Sequence, residues 1–180
     1  MIDPTSAIDW SRTYAYAVGL GGIYLNLKGR GREGILEEGS ETERVRTAIE
    51  IGLAGLGDGE TERVAIRSVS RREDIYRGPY AKNAPDLLVN FSPGFRVSWQ
   101  SAVGGFADSL LDNNTRRWSG DHIIDPDSVP GILFSNRRFG ASSSSERKEA
   151  ERPSIIDLAP TILKHLGVAA PEVMEGTPLI

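Results

Sequence analysis

The stretch WSGDHIIDP, residues 118–126, places one of the chain's two histidines, His122, directly after Asp121 and three residues before Asp125. Neutral imidazole is a frequent zinc ligand, and a carboxylate beside it can orient the ring or join the metal's shell. The segment contains Gly120 and Pro126 and leads into the apolar run PGILFS, 130–135, which reads as a core strand. Loops at the ends of core strands often carry functional side chains. The plainer alternative is a loop histidine bonded to a neighbour. The other histidine, His165, stands beside Lys164 near a predicted helix C-terminus, off its apolar face. Its charged form would suit the helix dipole there, which is a structural role.

Other candidates are weaker. GLGG, 19–22, is followed by neither a Lys-Ser/Thr pair nor a capped helix, so it reads as a turn or bulge rather than a phosphate cradle. Lys28, Arg30 and Arg32 could meet an anionic substrate, or form a solvated charged loop. Glu37, Glu38, Glu73 and Asp74 read as surface acids, and no serine has the flanking glycines of a nucleophile elbow. The chain has no cysteine, which excludes disulfides, thiolate nucleophiles and Cys-ligated zinc. With two histidines, one copy cannot build a three-His zinc site.

The elements that must position these residues follow from pattern. The 180 residues are 39% hydrophobic and 26% charged, with net charge −4, as in a folded domain with or without a small subdomain. This balance argues against a broad basic nucleic-acid-binding face, while leaving room for a local basic patch. No apolar run approaches the roughly 20 residues of a membrane span. The start MIDPTSAIDW lacks a secretory signal pattern, so the chain as given reads as cytoplasmic, while the compartment of a longer parent protein stays open. TYAYAVGLGGIYLNL, 13–27, predicts two short strands around its glycines, the second over Ile23–Leu27.

Ser40 and Glu43 have capping-box spacing, and Val45, Ala48, Ile49, Leu53 and Leu56 make the apolar face of the helix that follows. Val64, Ile66 and Val69 predict a strand, which gives a small α+β subdomain over about 28–80. DLLVNF, 86–91, predicts a central strand buried on both faces, and FRVSW, 95–99, a further strand. Residues 103–122 and 137–153 read as loop. Asp157 is the expected N-cap of a last helix with Leu158, Ile162, Leu163 and Leu166 on one face, and Gly167 ends it.

Four blocks in order add a resemblance: IDWSRTYAYAVGLGGIYLNLKGRGREGIL (8–36), RGPYAKNAPDLLVNFSPGFRVSW (77–99), WSGDHIIDPDSVPGILFSN (118–136) and SIIDLAPTILKHLGVAAPEVMEGTPLI (154–180). Together they resemble the C-terminal portion of the type I phosphodiesterase and nucleotide pyrophosphatase group, within the alkaline phosphatase superfamily. The last block, with its APT helix and MEGTPL tail, marks the superfamily; the Asp-Trp, YLN-KGR and SGDH blocks are more specific to phosphodiesterase-like members.

The resemblance implies an α/β fold, an alkaline-phosphatase-like sandwich fragment with a small α+β subdomain, residues 1–180 being the C-terminal part of one such domain. It implies two divalent metal ions, zinc or manganese, that activate a Thr or Ser nucleophile toward a phosphate ester or nucleotide. His122 matches the late metal-ligating histidine, with Asp121 as a possible outer-shell carboxylate. Group members place a glycine directly after this histidine, whereas Ile123 stands here. The nucleophile and remaining ligands are expected upstream, so the chain alone is expected to be inactive. Two alternatives remain: a noncatalytic binding or interaction module, or phosphonate, sulfate or phosphomutase chemistry on the same superfamily fold. A partial central sheet would also favour self-association through an exposed edge.

Overall fold

The computed structural model describes residues 8–102, 105, 109–118, 120, 123–136 and 153–180. It divides into two compact units, Met1–Val129 and Pro130–Ile180. No helix among the described residues is long and apolar enough to cross a membrane.

The first unit is α+β. β1 (Ala15–Val18) and β2 (Gly22–Leu25) form an antiparallel hairpin. α1 (Ser40–Leu53) follows, then β3 (Ile66–Arg71), the short α2 (Arg72–Ile75), β4 (Leu87–Phe91) and the short α3 (Trp99–Ala102). The sheet order is β1-β2-β4-β3. β2 and β3 are each antiparallel to β4, so they run parallel to one another with β4 inserted between them. α1 is the crossover of this split βαβ unit.

Glycine makes the hairpin turn. Gly19 and Gly21 have φ of 76° and 100°, a region that side chains with a Cβ disfavour. The Gly21 carbonyl accepts the Val89 N–H at 2.9 Å, and Gly22 packs where a Cβ would strike Pro85. GLGG is therefore a turn. Ala15 and Leu25 are opposed in register and face α1, where Leu25, Leu27 and Leu36 form a core packed by Ile35, Val45 and Ile49. The register places Tyr16, Tyr24, Leu88 and Asn90 on the other face. There Tyr16 stacks on Tyr24 with ring centres 5.7 Å apart, and Trp10 meets Tyr16 edge-on at 5.3 Å.

Several expectations are corrected. The Ser40–Glu43 capping box does not form: Ser40 is already helical, Gly39 is the N-cap, and no side chain caps the helix. The Glu43 carboxylate bonds Arg46 and Arg71 instead. β4 is central, but only its first residue, Leu87, is fully buried, and the rest is half-buried. FRVSW is not a strand; α3 begins at its last residue. PGILFS forms neither strand nor core, with Ile132 81% and Phe134 89% exposed. The described residues of its own unit contain no strand to pair with it, and an apolar run without a ladder partner has no sheet to join.

The second unit is built on α4 (Leu158–His165). Asp157 is its N-cap by position, but the carboxylate bonds elsewhere: it accepts the Ser154 and Thr177 N–H groups, each at 2.8 Å. Pro160 is tolerated in the first turn, where its missing N–H has no intrahelical partner. The Thr161 hydroxyl accepts the Leu179 N–H at 2.9 Å. Asp157 and Thr161 thus fasten the MEGTPL tail along the helix start. Gly167 ends the helix at φ 72°, and the Val168 N–H returns to the Leu163 carbonyl at 2.9 Å.

Two glycines are fixed by close approach: a Cβ on Gly34 would collide with the Leu27 carbonyl, and one on Gly176 with the Ile156 carbonyl. Gly34→Ala and Gly176→Ala should each cost about 1–3 kcal/mol through overpacking. Gly52→Ala, in open space on α1, should instead stabilise by up to about 1 kcal/mol. Urea unfolding of the three variants checks the contrast; equal effects would contradict it.

Candidate functional site

His122 and Asp121 lie outside the described residues. The structure does describe the chain on either side of them. Downstream, Asp125 is buried and begins a tight turn over Pro126–Ser128, in which its carboxylate accepts the Asp127 N–H at 3.0 Å. The same carboxylate is ion-paired to Arg67 of β3, which also reaches Asp127 at 3.2 Å. These bonds hold the Arg67 guanidinium still more firmly protonated.

Arg67 is free to reach out because of how β3 pairs. Ile66 is opposite Phe91 and Ser68 opposite Asn90, so β3 carries one residue more than β4 at this point. A bulge of this kind leaves one residue out of the ladder and re-aims its side chain. The bulged residue is Arg67. On either side of it the ladder is ordinary, and Asn90 donates to the hydroxyls of Ser68 and Ser70 at 3.1 and 2.7 Å.

The strongest polar cluster is centred on Asp86, a fully buried side chain immediately before β4. Its Oδ2 accepts the Leu25 N–H at 2.8 Å and a bond from Arg30 Nη1. Its Oδ1 accepts Arg30 Nη2 at 3.0 Å and Arg72 Nη1 at 3.1 Å, with Arg46 Nη2 at 4.0 Å. The fork-on-fork pairing with Arg30 is the strong bidentate kind. Bonding to Asp86 raises the Arg30 pKa against the opposing effect of burial.

Arg46 and Arg72 are shared with Glu73, at 3.5 and 2.9 Å, and Arg46 also meets Glu43 at 3.0 Å. Arg71 adds bonds from β3 to Glu50 and Glu43 of α1, which raise its pKa. The Nε–H of Arg46 is buried without a hydrogen-bond partner, a cost of about 1–3 kcal/mol against these ion pairs.

This network resolves the basic loop. Arg30 is a structural partner of Asp86, Lys28 pairs with Glu37 at 2.6 Å, and Arg32 is exposed beside Glu33. Glu73, expected as a plain surface acid, bridges two arginines. Asp86 and Arg67 were not singled out from sequence. The one signal for Asp86 is an acidic residue heading an apolar run. His165 is exposed in the last turn of α4, as expected for a helix-end residue.

The described acids do not fit a two-metal centre. Asp86 and Asp125 are committed to arginines and Asp157 to backbone N–H groups, and among the described residues no three His, Asp or Glu side chains converge. Comparisons of the chain with protein-family models, curated proteins and solved structures returned no match.

Three outcomes are expected. Asp86→Asn removes the charge on which three guanidiniums converge and should cost on the order of 3–5 kcal/mol, whereas Lys28→Ala should cost less than about 1 kcal/mol. Chemical denaturation separates the two, and an Asp86→Asn loss as small as that of Lys28→Ala would exclude a central role. Arg67→Ala should speed hydrogen exchange at Ser128 and Val129 while leaving β4 amides protected; unchanged rates would mean that the clamp does not hold this turn.

The third concerns pH. Burial raises the Glu73 pKa, but its own backbone N–H together with Arg46 and Arg72 outweighs that and leaves it below the ordinary value. The folded form therefore binds this proton less readily than the unfolded chain. Glu73's contribution is complete above the unfolded pKa of about 4.3 and is lost as pH falls through the lower folded value. Glu73→Gln should flatten the acid limb of a stability profile, and an unaltered limb would refute the assignment.

Proposed function

We propose that this chain is part of a metal-dependent phosphate-ester hydrolase of the phosphodiesterase or nucleotide pyrophosphatase type, and that His122 is its contribution to the metal centre. The first unit then corresponds to the small α+β subdomain and adjoining sheet of an alkaline-phosphatase-like sandwich. The Thr or Ser nucleophile and the other ligands are supplied from outside these 180 residues. A pair of divalent ions, zinc or manganese, would supply charge neutralisation on the transferred phosphoryl group. The substrate is a phosphate ester or nucleotide.

The observation that supports this reading is the Arg67–Asp125 clamp. A buried carboxylate, three residues after His122 in sequence, fixes the following turn to a bulge in β3. Bulges commonly serve to re-aim a side chain beside a functional site. Asp125 of the clamp lies within the SGDH block, while Arg67 lies outside the four blocks, and Asn26 and Arg30 of the YLN-KGR block also have defined contacts.

A second reading, a noncatalytic folded module, is favoured by the first unit's own apolar core and ion network. One assay separates the two. With zinc or manganese added, the 180-residue chain should hydrolyse bis-p-nitrophenyl phosphate no faster than its His122→Ala variant. The parent polypeptide with its upstream region should turn the substrate over, and should lose at least about 100-fold with His122→Ala, the scale on which a metal shell responds. A parent that is inactive, or indifferent to His122→Ala, sinks the hydrolase reading and leaves the module.

A further inference from the structure

We draw no further inference here: the strongest candidate, the apolar groove between β1 and α1 lined by Ala15, Ala17, Ile23, Ile49, Gly52 and Leu53, is an unpartnered face and nothing in the structure shows what covers it.

Discussion

The buried Asp86 carboxylate is the constraint on which the first unit turns. Removing a carboxylate from water costs several kcal/mol, and a single partner does not offset that. Here two bidentate-capable arginines, a third guanidinium at longer range and the Leu25 N–H share one side chain. Each donor comes from a different segment: the end of β2, the loop after it, α1, and the start of α2. The backbone pairing of β2 with β4 covers only Gly22–Leu88 and Ile23–Leu87. The Asp86 side chain takes up the next donor, Leu25, where that pairing stops. An apolar core of a few leucines is non-directional, and the carboxylate supplies the direction.

The same device recurs at three other places among the described residues. Asn26 is buried, and its side-chain nitrogen lies 2.9 Å from the Thr13 carbonyl and 3.1 Å from that of Glu33, which gathers the chain before β1 and the loop after β2. Asp125 closes a turn and anchors it to a bulge. Asp157 accepts two N–H groups from residues 23 positions apart, Ser154 and Thr177. In each case a short acceptor or amide does locally what a strand ladder would otherwise do.

This explains what could be read in the sequence. The β1–β2 hairpin, α1, β3, β4 and α4 were legible because period and punctuation are local properties. The capping box failed because Glu43 has two arginines to bond, and one of them, Arg71, lies 28 positions away. PGILFS failed because an apolar run specifies burial only if a partner surface exists, and its own sequence does not reveal one. Asp86 and Arg67 were invisible for the same reason: pairing across 56 and 58 positions leaves no periodic trace. His122 was the reverse case, legible as a residue type and lying outside the described residues.

Motif residues can do two kinds of work, and the described ones here do mainly one. Arg30 of KGR, Asn26 of YLN, Thr161 of APT and Gly176 of MEGTPL are each explained by a contact that holds backbone in place. A motif residue accounted for by such a contact has a role in folding, and a likeness in folding does not by itself imply a likeness in chemistry. The hydrolase proposal therefore draws on His122, which lies outside the described residues, and on the Asp125 turn that follows it in sequence. Within that proposal the chemistry is assigned to His122 and not to the arginine network, where the buried Asp86 carboxylate is engaged by Arg30 and Arg72.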